Sequence, residues 1–301
     1  MLPDKILGLF HMYGLMIAVG ILAAFGVIFY YGKKKNVEEK FTDFIFYNTI
    51  LSIALGFGSA ALFQATYDYI EDPSAGFRFN GGITFIGGLI GGALCFLAVY
   101  FLLRKRYKTR LVDVISFVPC AITVGHAFGR VGCFFAGCCY GKETDSFLGV
   151  QFPGLPNPVH PTQLYEAAFL FLLFGVCFFL LMKKDFKHNM SVYLICYGLF
   201  RFFIEYVRGD NRGELVAGIS PSQFWSLLMI VLGVGAYFLM EYMMKKRKAE
   251  LAALALVEGE NEAGKEETTE PAQSAETQNV EKKQEVQEKQ EIQSTDLEAK
   301  Q

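Results

Sequence analysis

The chain has 301 residues, 52% of them apolar and 15% aromatic, with a net charge of −2. The apolar residues come in long, nearly uncharged blocks rather than at the helical or strand periods of a half-buried core, which excludes a soluble globular body and assigns the chain to a bilayer. From Glu250 onward there are 14 acids and 5 bases, so the end is acidic and the body before it basic.

The first block covers about 11–31. It is too long for a signal peptide, Asp4 and Lys5 cancel ahead of it, and Lys33, Lys34 and Lys35 follow it. A signal peptide has its basic end first, so this block reads as a retained first span. Six more follow, at about 44–64, 82–103, 111–128, 162–182, 190–207 and 222–243. Asp113 and Pro119 interrupt the fourth, and Arg201 and Glu205 the sixth. The expected fold is all-α: a polytopic membrane helical bundle of about seven transmembrane helices. In the third block, Gly87/Gly91 and Gly88/Gly92 are four apart and share one helix face, which predicts close approach of another helix.

Alternate loops differ in basic charge. One set holds 16 bases: Lys33, Lys34, Lys35 and Lys40, then Arg104–Arg110, then Lys183, Lys184 and Lys187, then Lys245–Lys248. The other holds 6: Lys5, Arg78, Arg130, Lys142, Arg208 and Arg212. The basic side is cytoplasmic, which puts the N-terminus outside and the C-terminus in the cytoplasm. The chain divides into a transmembrane domain over 1–248 and an acidic cytoplasmic tail over 249–301. The tail has no aromatic residue and too little apolar surface to fold alone, and Val280, Val286 and Ile292 make no heptad seam.

Polar residues gather on the outer side. The fourth span leaves through GHAFGRVGCFFAGCCYGK, with Arg130 among glycines, and the fifth begins at HPTQLYE, His160–Glu166. Pro161 suits the first turn of a helix. In the sixth, YGLFRFFIEYVRGD puts Tyr197, Arg201, Glu205 and Arg208 at spacings of four, four and three, on one helical face. Arg201 and Glu205 can neutralise each other, but Arg130 and Arg208 at similar depth need a further explanation. Several inward arginines suit an anionic ligand, and a lipid phosphate matches the guanidinium fork.

These segments together resemble the prolipoprotein diacylglyceryl transferases over about 10–240. MYGLM, Met12–Met16, is similar to the family's opening motif and GGITFIGGLIGG to its third-span motif. GR-x-G with a later G-x-x-x-G is similar to the family signature and places Arg130 on its arginine. HPTQLYE matches the family segment throughout, and the sixth-span motif matches at Tyr197, Arg201, Glu205 and Arg208. The resemblance implies a bacterial inner-membrane transferase that moves diacylglyceryl from phosphatidylglycerol to the lipobox cysteine of prolipoprotein signal peptides, forming a thioether. It implies that Arg130 and Arg201 hold the phosphate, while Tyr13, Tyr197, Glu205 and Arg208 complete the phosphatidylglycerol site. Neither a metal nor an organic cofactor is expected, and no nucleic-acid partner.

The chain departs from the family pattern in two places. Ile86 stands where the third-span motif has a histidine, and GCFFAGC stands for G-N-F-x-N-x-E, with Cys133, Ala136 and Cys138 in place of two asparagines and the glutamate. Proton transfer then falls to His126 or His160. Cys95, Cys120, Cys177 and Cys196 lie in spans and read as small buried hydrophobes. Cys133, Cys138 and Cys139 cluster on the outer side; a disulfide suits an oxidising face, whereas the spacing is not a usual zinc pattern. The alternative function is a divergent member that binds lipid phosphate but performs other thiol or lipid chemistry, or only binds and transports lipid.

Overall fold

A computed structural model describes residues 11–79, 81–82, 84–209 and 218–256. Lys5, Arg212 and the tail beyond 256 lie outside the described residues. Among the described residues seven helices are long and apolar enough to cross a membrane: Met12–Lys34, Glu39–Glu71, Ile86–Arg106, Leu111–Ala136, Thr162–Lys184, Asn189–Val207 and Pro221–Leu256. The chain is a polytopic membrane helical bundle, all-α in class. Residues up to Glu241 make one compact unit, and the seventh helix runs on from Tyr242 to Leu256 in a second. Large apolar side chains such as Leu22, Leu102 and Leu172 are about seven-tenths or more exposed, as lipid-facing residues must be.

Several helices are longer than the apolar blocks that announce them. The second continues past 64 to Glu71 because its polar residues bond along the helix: Gln64 Nε2 donates to Asp68 Oδ1 at 2.8 Å and Thr66 Oγ1 to the Leu62 carbonyl at 2.8 Å. Pro73 ends it, since the residue before a proline is pushed out of the helical region. Asp72 sits at φ −134°, ψ 86°.

Asp113 and Pro119, expected as interruptions of the fourth span, are its starting signals. The Arg110 N–H donates to Asp113 Oδ2 at 2.9 Å, and the Asp113 N–H to the Arg110 carbonyl at 3.0 Å. A short turn, Ile115–Phe117, leads into the helix Val118–Ala136, whose first turn accommodates Pro119. That helix ends at Ala136 and not near 128. Gly137 takes the left-handed conformation at φ 69°, and the Cys138 N–H closes on the Cys133 carbonyl at 3.2 Å, a Schellman ending.

Glycines set the helix crossings. A Cβ on Gly20 of the first span would lie 2.9 Å from the Gly125 carbonyl of the fourth. The third span meets the second as its glycine face predicts. A Cβ on Gly92 would lie 3.1 Å from the Ser52 carbonyl, and one on Gly87 2.6 Å from Phe63 Cβ. Ser59 Oγ donates to the Gly87 carbonyl at 2.9 Å and Asn48 Nδ2 to the Phe96 carbonyl at 3.1 Å, interhelical bonds of the kind that hold membrane helices together. Cys120 and Cys177 are fully buried in the core beside Leu170 and Leu181, whereas Cys95 and Cys196 are only partly buried.

The loop between the fourth and fifth spans is pinned by isolated β-bridges, Gly141 with Arg208, and Val159 with both Glu143 and Val150. The Gly141 N–H donates to the His160 carbonyl at 2.8 Å and the Lys142 N–H to the Val207 carbonyl at 2.8 Å. A Cβ on Gly141 would lie 2.6 Å from the Val207 carbonyl, so only glycine lets the three segments meet. The ends of the fourth and sixth spans and the start of the fifth therefore converge on one place.

Candidate functional site

Pro161 caps the fifth span, and its carbonyl accepts the Leu164 and Tyr165 N–H groups at 2.9 and 3.2 Å. The next two residues reach back to the preceding loop. Thr162 Oγ1 donates to the Cys139 carbonyl at 2.8 Å and Gln163 Nε2 to the Cys138 carbonyl at 2.6 Å. One turn on, Glu166 points into the bundle and is 2% exposed. A carboxylate at that depth requires charged or hydrogen-bonding partners, and two other spans supply them. Arg130 Nε lies 3.0 Å from Glu166 Oε1, the Tyr197 hydroxyl donates to the same oxygen at 2.6 Å, and His126 Nε2 stands 3.7 Å away. The last is electrostatic proximity and not a hydrogen bond. The His126 and Tyr197 rings meet edge to face at 5.2 Å, and Tyr193 stacks on Tyr197 at 5.8 Å.

The second cluster surrounds Glu205. Arg201 Nη1 lies 2.8 Å from Glu205 Oε2, the expected i, i+4 pair, and Arg208 Nε lies 3.8 Å from the same oxygen. Arg208 does not continue the helical face that its spacing predicts. The α-helix ends at Ile204, a tight turn follows over Glu205–Val207, and Arg208 is extended at φ −71°, ψ 145°. The β-bridge to Gly141 holds it there, 5% exposed.

The start of the seventh span completes this cluster. Ser220 Oγ donates to Glu205 Oε1 at 3.1 Å, and Arg201 Nη2 to Ser222 Oγ at 3.0 Å. Ser220 and Gln223 form a capping box: the Gln223 N–H donates to Ser220 Oγ at 3.2 Å and the Ser220 N–H to Gln223 Oε1 at 3.1 Å. The reading from sequence names neither serine, although S-P-S-Q before an apolar run is a helix-start pattern. Glu166, likewise, appears in it only as the last letter of a motif.

The two clusters belong to one electrostatic neighbourhood, since His126 is within reach of Glu166, Arg130 and Arg201. His160 is placed differently. Its Nδ1 lies 3.2 Å from the Tyr165 hydroxyl, and its backbone holds Gly141 and Lys142. Tyr13, 44% exposed, passes Gly132, where a Cβ would lie 3.2 Å from its ring, and it is within electrostatic reach of Arg130 and the three clustered cysteines. Ile86, 48% exposed, opens the third span.

The expected disulfide is not formed; all seven cysteines are free. The Sγ atoms of Cys133, Cys138 and Cys139 lie within 4.8 Å of one another. The Gly137 turn produces this cluster, with Cys139 itself at φ 64°. Hydrogen bonding from Cys133 draws the Cys139 thiol down to about 5 against the effect of burial, helped by Cys138, Arg130 and Arg208. Burial pushes the Cys138 thiol up.

The family model for prolipoprotein diacylglyceryl transferase matches residues 6–239. The chain is 38% identical over 234 residues to the phosphatidylglycerol–prolipoprotein diacylglyceryl transferase of Clostridium tetani, covering 74% of this chain and 90% of that one. It is 36% identical over 253 residues to the second such enzyme of Clostridium perfringens, covering 80% and 94%. With that of Marinomonas sp. it shares 32% over 236 residues, covering 75% and 86%. By both its motifs and these likenesses, the chain belongs to the prolipoprotein diacylglyceryl transferase family.

Proposed function

We propose that the protein transfers diacylglyceryl from phosphatidylglycerol to the lipobox cysteine of prolipoprotein signal peptides, at the outer face of a bacterial inner membrane. The observation that carries this reading is how Arg130 is held. Its Nε lies 3.0 Å from Glu166 Oε1 in an ion pair rather than a hydrogen bond, and among the described residues its terminal nitrogens make no hydrogen bond to protein. A guanidinium fixed at one edge presents its remaining fork to phosphate oxygens. Arg201, set by Glu205 and Ser222, is the second phosphate ligand. Tyr13 and Tyr197 orient the headgroup, and Arg208 and Glu205 close the site beside them.

In the reaction the acceptor thiolate attacks the glyceryl carbon, the carbon–oxygen bond breaks, and glycerol phosphate leaves with the electron pair. The guanidinium groups stabilise the charge that develops on the phosphate. We assign the thiol proton to His126 in preference to His160, because His126 stands 3.7 Å from Glu166 inside the bundle, whereas His160 faces Tyr165. Ile86 and the cysteine cluster favour the second reading, a lipid-phosphate binder with other thiol chemistry.

One assay separates the two. Purified protein is given phosphatidylglycerol labelled in its headgroup and a lipobox peptide. Glycerol phosphate should be released in step with lipidated peptide, and not with the Cys→Ser peptide. Lipid that binds without release would leave only the second reading.

A further inference from the structure

We propose that Cys133, Cys138 and Cys139 hold a thiophilic divalent metal ion of the zinc class, whose open fourth position takes and activates the acceptor thiol. This rests on the transferase reading above. Three thiolates bound to one tetrahedral ion at the usual zinc–sulfur distance sit roughly 3.8 Å apart. The three sulfurs, within 4.8 Å of one another, need only a small contraction to reach that arrangement.

The backbone fixes them from three sides. Cys133 is on the last turn of the fourth span and accepts the Cys138 N–H at its carbonyl. Gln163 holds the Cys138 carbonyl and Thr162 the Cys139 carbonyl. Cys139 is kept at φ 64°, a conformation that a residue with a side chain adopts reluctantly. Among the described residues the group has three members. Three protein donors and one vacant position are the pattern of a catalytic zinc site, whereas four close a structural one. Thiolates suit zinc over harder ions.

The need for such an ion follows from the reaction. A thiol must become a thiolate before it attacks carbon, and Ile86 stands where the family motif offers a histidine. Coordination to a divalent ion deprotonates a thiol outright. Cys138 is exposed and its two companions half-buried, so a peptide cysteine can reach the fourth position. The step balances without an oxidant. The acceptor sulfur gives its proton to His126 as it binds the ion, forms the carbon–sulfur bond as the carbon–oxygen bond breaks, and the proton ends on the departing glycerol phosphate. Arg130 and Arg208, both in electrostatic reach of Cys139, offset the negative charge of the three thiolates.

Cobalt(II) is the probe. Full-length protein, reduced and freed of metal, should take up about one equivalent and show the visible bands of a tetrahedral thiolate site. Addition of a lipobox peptide should shift those bands, and the Cys→Ser peptide should not. Cys133→Ser and Cys138→Ser should each weaken binding about tenfold or more, while Cys95→Ser, in the third span, should bind normally. If Cys133→Ser does not accumulate, Cys138→Ser on the exposed turn decides the matter. Reduced protein that takes up no cobalt overturns the metal site. Bands indifferent to the peptide thiol overturn the role of the fourth position. Full transfer from phosphatidylglycerol by chelated protein would discard the ion and keep the transferase, whereas peptide-responsive bands without lipid turnover would keep the ion and discard the transferase.

Discussion

Arg130, His126 and Tyr197 come from two different spans and meet on a carboxylate from a third, and removing that carboxylate tests the arrangement at the scale of one residue. Glu166→Gln keeps the shape but leaves Arg130 charged and without its partner at 3.0 Å. Breaking a buried pair from one side costs about 3 to 5 kcal/mol. The variant should melt earlier in detergent and lose phosphatidylglycerol turnover; an unchanged melting curve would remove Glu166 from its place in the cluster. The phosphate ligands are tested by a milder change. Arg130→Lys and Arg201→Lys should each lose most activity while the protein still accumulates, because a point charge cannot replace a planar fork. Arg78→Lys, in an exposed loop, is the control, and full turnover by both lysine variants would dismiss these arginines as the clamp. Arg130, Arg201, Glu205 and Arg208 stand out in the sequence because charge in or beside an apolar block is conspicuous, whereas Glu166 is visible only within its motif. Their pairing was visible only for Arg201 and Glu205, four apart on one helix. Arg130 and Glu166 are partners across spans, and no spacing records that. The cysteine cluster was legible as a cluster, but C-x4-C-C has no familiar metal spacing, and the turn at Gly137 is what brings the sulfurs together.

Helices are set by crossings and ends, and both carry sharper information than apolar length does. The first and fourth spans cross at a glycine pair whose members are not equivalent. A Cβ on Gly20 would come within 2.9 Å of a backbone carbonyl and 3.1 Å of Phe128 Cβ, whereas one on Gly125 finds its nearest neighbour at 3.6 Å. Gly20→Ala should therefore cost about 1 to 3 kcal/mol by overpacking, while Gly125→Ala should be close to neutral; thermal melting of the two compares them, and equal effects would deny this crossing. The third-span glycine face was legible because a repeat of four is a helical spacing. Asp113 and Pro119 were misread because a charge and a proline look like breaks inside a span, although both are favoured where a helix starts. At the other end of a helix, Asp185 caps the fifth span at φ 49° and pairs with Lys35 at 2.8 Å and Lys187 at 3.1 Å. The hydrogen bond from Lys35, with that from Lys187, holds its carboxyl below the ordinary range, against its partial burial. A depressed carboxylate contributes stability above its unfolded value and loses it as pH falls through the folded one. The Asp185→Asn variant should thus be less stable than the parent at neutral pH and converge with it in acid. Parallel pH–melting curves would show that the pair contributes nothing.

Across the whole molecule, one asymmetry supports the proposed face of the bilayer for the site. Alternate loops carry 16 bases against 6, and that bias orients a polytopic chain with its basic loops in the cytoplasm. The rule counts charge near span ends, where these residues lie. Lys33 and Lys34 close the first span, and Lys183 and Lys184 the fifth. Arg130 and Arg208 belong to the poorer side but are no part of its loop charge in the usual sense, since both are bound into the carboxylate clusters. Leaving them out makes the bias steeper. The site sits where the fourth span ends and the fifth begins, so in the proposed orientation it faces outward, as the proposed transfer to exported signal peptides requires. Asn157 lies in the loop beside the site and Lys184 at the far end of the fifth span, and both positions are exposed. Single cysteines placed there in a background lacking the native ones report the two faces. A membrane-impermeant maleimide added to intact cells should modify position 157 and spare 184 until the cells are opened. The reverse pattern would invert the molecule and put the lipid phosphate site on the cytoplasmic leaflet, and labelling of both positions from outside would mean that the fifth helix does not cross.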